Sequence, residues 1–306
     1  MSSSLRSMVL EYLHALQEQG VQRLPVDEEA RTILRSWMLA ARRGSTVLPP
    51  LPAAPQASAQ EKAAPAVAFS SLRVEADSPA IPPETEQEEI PFFRPGGENP
   101  EAAWQNMQRL LPTWEPLRSL GTLREKAILP QGNIRASIMF VGDAPGYADE
   151  KQGLPFCGEA GGKLDGMLKA MGLTRREVYL TQLLKFRPAQ PRQTLNTRPP
   201  TEREIRMSLP VLDFEIRLVH PRVIVALGVI AARGLLQRGN LPLAAYQEQH
   251  GHYRDIPVIV THHPSYLLRT SDLAERRRLW EEMLRVMEMA QLPISEKQRG
   301  FFLPKK

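Results

Sequence analysis

Three stretches of the chain combine reactive side chains with stiff backbone. The first, GDAPGYADEKQGLPFCGEAGG (142–162), places Asp143 between Gly142 and the turn Pro145–Gly146. Glycine allows close backbone approach and proline removes freedom, so a carboxylate there is held, as a general base, a water-orienting group or a cation partner must be. The plainer alternative is that Asp143 caps a turn or a helix. Phe156 follows Pro155 among glycines, where a core aromatic has little to pack against, and a ring in such a cleft suits stacking on a planar base; core filling is the competing role. Gly158, Gly161 and Gly162 then open a helix whose N-terminus could meet a phosphate. The second stretch, HHPSYLLR (262–269), holds two of the six histidines, with His263 constrained by Pro264. Leu267, Leu268 and Arg269 beyond it amount to two apolar wedges and a cation, which suits insertion into a base stack beside a phosphate. The third, KFRPAQPRQTLNTRPPTER (185–203), carries Arg187, Arg192, Arg198 and Arg203. These form either a phosphate track or an ordinary solvated face. GDAPG is neither a Walker loop, which ends GK[ST], nor a GxGxxG fingerprint.

The elements that must position these residues follow from pattern. Four apolar runs, ASIMFVG (136–142), VYLTQLL (178–184), RVIVALG (222–228) and IPVIVTH (256–262), alternate with helical spacing near 160–171, 201–218, 229–237 and 272–290. Strands that are apolar throughout and alternate with helices indicate a parallel sheet covered on both faces, hence an α/β fold. In such sheets ligands bind beyond the carboxyl ends of the strands, where all three reactive stretches fall. Residues 1–43 show the spacing of two short amphipathic helices, either a small cap or a tethered docking element. Residues 44–98, rich in Pro, Ala, Ser and Glu, are too poor in apolar groups to order themselves and are expected to be a disordered linker. The globular domain is expected over 99–292, with a tail at 293–306.

Composition narrows the class. With 306 residues and 42% of them hydrophobic, a sizeable core is available. A net charge of +5 favours an anionic partner such as nucleic acid. The single cysteine, Cys157, excludes an internal disulfide and a cysteine-ligated cluster, and fits a reducing compartment. No apolar run approaches the about 18 residues of a membrane span, and the first residues lack the apolar stretch of a signal peptide, so a cytoplasmic protein is expected.

Four motifs, in order over about residues 105–290, resemble those of the family 4 uracil-DNA glycosylases. GDAPGYADEKQGLPFCGEAGGKLD is similar to GEAPGxxEDxxGxPFVGxAGxLLD, VYLTQLLKFRP to VYITNxVKCRP, RVIVALGVIAARGLL to RVVVALGxxAAxxLL, and HHPSYLLR to YHPxxLLR. The resemblance implies a three-layer α/β/α sandwich with a central four-stranded parallel sheet, and an enzyme of base excision repair that flips a uracil or related deaminated base out of DNA and hydrolyses its N-glycosidic bond. Carried over, His263 would donate to the carbonyl oxygen of the leaving base and Asp143, where the family has glutamate, would steady the sugar cation or place the water. Gly142, Ala144, Phe156 and Gln182 would hold the base. Gly146, Arg187, Ser265, Leu267, Leu268 and Arg269 would contact DNA. An enzyme of this kind is expected here as a monomer.

The departures are specific. The family's four cluster cysteines fall at Pro112, Glu115, Phe186 and Ser208, so no iron–sulfur cluster or other metal is expected, and packing by Trp114, Leu117 and Phe186 should hold that region. Gln182 replaces a base-reading asparagine, and one methylene moves the amide by about 1.5 Å. Asp143 is shorter than the glutamate it replaces. These two changes keep a second reading open, a weak or inactive module that binds nucleic acid with the same fold. A small-molecule hydrolase is a third, against which the arginine loop and the wedge leucines count. A relative that bonds covalently to DNA has a histidine in its arginine-rich loop; Asn196 stands near that point here, so crosslinking is not expected. The tail QRGFFLPKK loosely resembles a bacterial sliding-clamp-binding peptide, or else packs its phenylalanines back on the domain.

Overall fold

The computed structural model describes residues 90, 92–249, 251–270 and 272–303, all within the unit Glu88–Lys306. The helical segment expected at 1–43 and most of the linker lie outside the described residues. The first helix among the described residues is α1 (Pro100–Leu110), capped by the Asn99 side chain, which accepts from the Ala102 N–H at 2.8 Å with proline in the first turn. After α2 (Glu115–Arg118), β1 (Leu123–Ala127) and β2 (Gln131–Gly132) comes the first central strand, β3 (Ile138–Gly142). It is followed by α3 (Tyr147–Gln152), α4 (Gly158–Met171), β4 (Tyr179–Gln182), β5 (Phe186–Pro188) and α5 (Glu202–Val219). Then come β6 (Val223–Leu227), α6 (Val229–Leu236), α7 (Leu243–Glu248), β7 (Gly251–Tyr253), β8 (Ile256–Thr261), α8 (Tyr266–Arg269), α9 (Leu273–Met289) and α10 (Glu296–Arg299).

The main sheet has the order β2-β4-β3-β6-β8-β7. Its middle pairs, β4 with β3, β3 with β6 and β6 with β8, are parallel, whereas β2 and β7 are antiparallel edges. The sheet is therefore six-stranded and mixed, not the four-stranded parallel sheet expected. The two edge strands span two and three residues and include Gly132 and Gly251, so neither shows the apolar run by which a strand is read. A separate antiparallel pair joins β1 to β5.

Side chains alternate faces along each strand. Ile138, Phe140, Val223, Val225 and Ile259 face one core with α4 and α9, while Met139, Val141, Ile224, Val258 and Val260 face another with α5, α6 and α7. That is a three-layer α/β/α arrangement. A third cluster, Phe93, Met107, Leu111, Trp114, Leu117, Phe186 and Val211 among its members, lies where cluster cysteines would stand. Phe93, which sequence left in the linker, is 2% exposed and meets Trp114 edge-on at 5.0 Å. Phe186 is fully buried beneath the Arg118 guanidinium at 5.5 Å, and Ser208 is buried with its hydroxyl unpartnered. None of Pro112, Glu115, Phe186 and Ser208 supplies a thiolate, and the space is filled by aromatic and aliphatic groups, so the residues present do not fit an iron–sulfur centre.

The tail is docked. Gln298 donates from Nε2 to the Ala170 carbonyl at 3.0 Å, Trp280 donates to the Gln298 carbonyl at 2.6 Å, and Phe301 lies 5.3 Å from the Trp280 ring. Gln298 and Phe301 are thus engaged within the chain, because Trp280 gives Phe301 apolar surface to cover, whereas Phe302 is 37% exposed and Leu303 50%. Truncating the aromatic in the third cluster tests what holds it: Phe186→Ala should lower the unfolding free energy by about 3–5 kcal/mol, read from the urea midpoint at unchanged m-value.

Candidate active site

β3 has β4 on one side and β6 on the other, which makes its carboxyl end the point where strand order reverses, the place where open parallel sheets bind ligands. Asp143 leaves β3 there. Its Oδ1 accepts the Ala231 N–H, in the first turn of α6, at 3.0 Å. The plain reading of Asp143 as a helix cap therefore holds, yet it uses one oxygen only. Gly228 joins β6 to α6 at φ +103, and a Cβ added to it would lie 3.3 and 3.5 Å from the two Asp143 carboxylate oxygens and 3.4 Å from the His263 Cβ. Asp143 and His263 thus flank one glycine. Gly228 was not singled out by sequence; its signal is a glycine at a strand-to-helix junction. Burial pushes the Asp143 carboxyl up to about 7, against the Ala231 N–H and the Arg233 charge, which both favour ionisation.

His263 follows β8. Its Nδ1 receives the Ser265 backbone N–H at 3.2 Å, with the Ser265 hydroxyl at 2.8 Å. A backbone N–H can only donate, so Nδ1 carries the lone pair and the proton sits on Nε2. Burial holds the imidazole below its ordinary value; Asp149 opposes this and Arg269 reinforces it. His263 is a neutral N–H donor. Ser265, expected at DNA, fixes that tautomer. His262 stacks on Tyr266 at 4.2 Å instead.

The base-facing residues meet around Gly142, which pairs with Gln182 across β3 and β4. A Cβ on Gly142 would come within 2.7 Å of the Phe156 ring and 3.5 Å of the Gln182 Cγ. Phe156 is 3% exposed and belongs to the core cluster with Phe140 and Leu164, so it does not protrude as an aromatic in an open cleft and the core-filling role is the one its burial supports. Its backbone is left-handed at φ 55. Arg175 holds it there, donating to the carbonyls of Pro155 at 3.1 Å and Phe156 at 2.6 Å. Gln182 donates from Nε2 to Asp149 Oδ2 at 3.0 Å, while its Oε1 is buried without a partner. Asp149 also accepts the Gly146 N–H at 2.9 Å and the Cys157 N–H at 2.6 Å. One carboxylate ties both halves of the loop to the end of β4. Sequence reasoning missed Asp149 and Arg175 as organisers; only Asp149 left a trace, as an acid three residues after the N-cap Gly146 of α3.

The residues expected at DNA divide. Gly146 spends its N–H on Asp149, while Ala144, expected at the base, is partly buried against the core. Arg187 is no phosphate contact: its side chain is 2% exposed, paired with Glu150 at 2.8 Å and bonded to the Thr194 and Asn196 carbonyls. Arg198 is likewise structural, bonded to Glu204 and to the Thr122 and Ala189 carbonyls. Arg192 and Arg203 are exposed. Leu267 packs against the core, whereas Leu268 is 42% exposed and Arg269 lies on the surface beside it. Among the described residues no cluster of His, Cys, Asp and Glu could hold a metal, and no helix is long and apolar enough to cross a membrane.

At the strand-order reversal of this α/β fold the structure brings Asp143 and His263 together about Gly228, and Phe156 and Gln182 together about Gly142. Residues 129–285 match the uracil DNA glycosylase superfamily, and the chain belongs to it. Its relatives include the type-4 uracil-DNA glycosylase of Thermotoga maritima, 33% identical over 164 residues that cover 52% of this chain and 81% of the relative. The type-4 enzyme of Sulfurisphaera tokodaii is 34% identical, covering 57% of this chain and 79% of its own, and that of Archaeoglobus fulgidus is 34% identical, covering 47% and 73%. Asp149 offers a test that does not depend on substrate. Asp149→Ala leaves three donors unpaired at about 1–3 kcal/mol each, so chemical denaturation should report a loss of at least about 3 kcal/mol.

Proposed function

We propose that the protein is a DNA glycosylase that hydrolyses the N-glycosidic bond of an extruded uracil or related deaminated base, in the manner of base excision repair. The observation that carries this reading is the pairing of Asp143 and His263 across Gly228, beside the unpartnered Gln182 Oε1.

Each group then has a chemical task. The glycosidic bond breaks as electrons pass to the base, so charge collects on a base carbonyl oxygen and the sugar becomes cationic. The His263 Nε2–H is a preorganised donor for that oxygen, and being neutral it need not lose a proton first. The Asp143 oxygen that α6 leaves over is available to the sugar or to the attacking water. Asp149 turns the Gln182 amide so that an acceptor faces the slot. An acceptor there favours bases with an imino N–H, such as uracil, hypoxanthine and xanthine, over cytosine, whose ring nitrogen at that edge carries a lone pair. Leu268 and Arg269 suit the gap left in the duplex. The competing reading, a base-binding module without turnover, draws on Asp143 too, since one of its oxygens is committed to α6 and the carboxyl ionises only near neutrality.

Cleavage of single- and double-stranded oligonucleotides containing uracil, hypoxanthine or xanthine separates the two. The glycosylase reading expects an abasic product from wild type and at least a 10²-fold loss in His263→Ala. Binding without product from any of them would establish the module instead. The pH profile adds a second check. Asp143 must be ionised to act, so kcat/KM should rise with pH through a midpoint near 7, and Asp143→Asn should remove that limb along with most of the rate.

A further inference from the structure

We infer that Tyr147 is a stacking platform for the nucleotide that flanks the extruded base on the same strand, in a groove adjoining the base slot; this rests on the glycosylase reading. Tyr147 directly follows Gly146, is 41% exposed and borders a groove together with Leu123 and Ala189. The Arg187 guanidinium lies over it at 5.6 Å, and that guanidinium is itself immobilised by Glu150 and by the Thr194 and Asn196 carbonyls. The ring is therefore supported from within and open to solvent, a surface preorganised for a planar ligand.

The groove it borders has a volume of about 750 Å³ and is lined by Arg124, Glu125, Lys126, Glu150 and Lys151 besides Tyr147. Glu150 is drawn in two directions: burial raises its pKa, but Arg124 and Arg187 prevail and hold it below the ordinary carboxylate range. Its charge is thus balanced inside the protein. Lys126, whose Nζ donates to the Lys151 carbonyl at 3.3 Å, and Lys151 are both exposed and share the groove with Glu125, a modest excess of positive charge that suits one or two phosphates. An aromatic face beside flexible cations is the pairing by which proteins hold single strands with little regard to sequence. The same Arg187 fixes the carbonyls on either side of Leu195, which is 68% exposed and so stands out from the loop as a second apolar contact near the strand. Arg187 thus serves DNA by positioning and not by touching phosphate.

The test uses the full chain and single-stranded oligonucleotides in which uracil is flanked by natural nucleotides or, on one side at a time, by a stable abasic analogue. Fluorescence anisotropy reads binding and a gel reads cleavage. Tyr147→Ala should weaken binding by about 5- to 150-fold and Tyr147→Phe should retain it. Wild type should lose a similar factor when the base on one side is missing, and Tyr147→Ala should lose nothing further on that substrate. Lys126→Ala and Lys151→Ala should each reduce the slope of log affinity against log salt by about 0.7. Equal binding by wild type and Tyr147→Ala, or equal losses by both on the abasic-flanked substrates, overturns the platform. Cleavage by wild type with Tyr147→Ala unaffected sinks the platform alone. Binding without cleavage sinks the glycosylase reading, and anisotropy still decides for Tyr147; no binding at all sinks both.

Discussion

The parallel pairing of β3 with β4 on one side and β6 on the other is the constraint on which the site depends. It sets Gly142 beside Gln182, and the register of β6 with β8 sets Leu227 beside Thr261, so that Gly228 and His263 follow at one level. Side chains alternate with period two, so a slip by one residue would send Ile138 and Phe140 into the wrong core and carry Gln182 off Gly142 together. Because both faces of these strands are buried, the apolar side chains that stabilise the sheet also define the register of the chemistry. Stability and placement here are one requirement.

Within that frame the slot is made by removing atoms and then bracing what remains. Glycine at 142 lets the Phe156 ring reach the backbone of β3, and glycine at 228 lets a carboxylate and an imidazole share one gap. Phe156 must then adopt a left-handed backbone, which costs about 1–2 kcal/mol for a residue with a Cβ. Arg175 and Asp149 offset this with charge-assisted bonds on both sides of it, to the Phe156 carbonyl and to the Cys157 N–H. Such strain persists only where neighbours over-determine it, and it tends to collect at functional sites.

The sequence exposes the parts of this arrangement that are periodic or chemically rare. Four apolar runs and the helices between them are legible because burial on both faces leaves a continuous signal, whereas β2 and β7 are too short to leave any. Asp143 and His263 are legible because reactive groups on stiff loops at one sheet edge are few. What one sequence cannot carry is pairing. Arg187 and Arg192 look alike in a charged loop, yet a carboxylate 37 residues upstream of Arg187 draws it inside while Arg192 stays in solvent. Phe93 and Phe301 lie in stretches that composition marks as linker and tail, and each is claimed by an aromatic partner, Trp114 and Trp280, that no local pattern announces.

The amide of Gln182 shows the same limit at the scale of one bond. Taken alone, its extra methylene relative to asparagine suggests a displaced and loosened reader of the base. In the folded chain the carboxylate it meets is Asp149, one methylene shorter than the glutamate of the motif that this stretch resembles, and the two are bonded at 3.0 Å. The longer amide side chain and the shorter carboxylate meet within hydrogen-bonding distance. The amide has Nε2 turned to Asp149 and Oε1 buried without a partner. Orientation decides donor against acceptor, and position decides how deep a base must sit to be read. The lengthened side chain is therefore held by the shortened carboxylate, and the atom it leaves unpartnered is an acceptor.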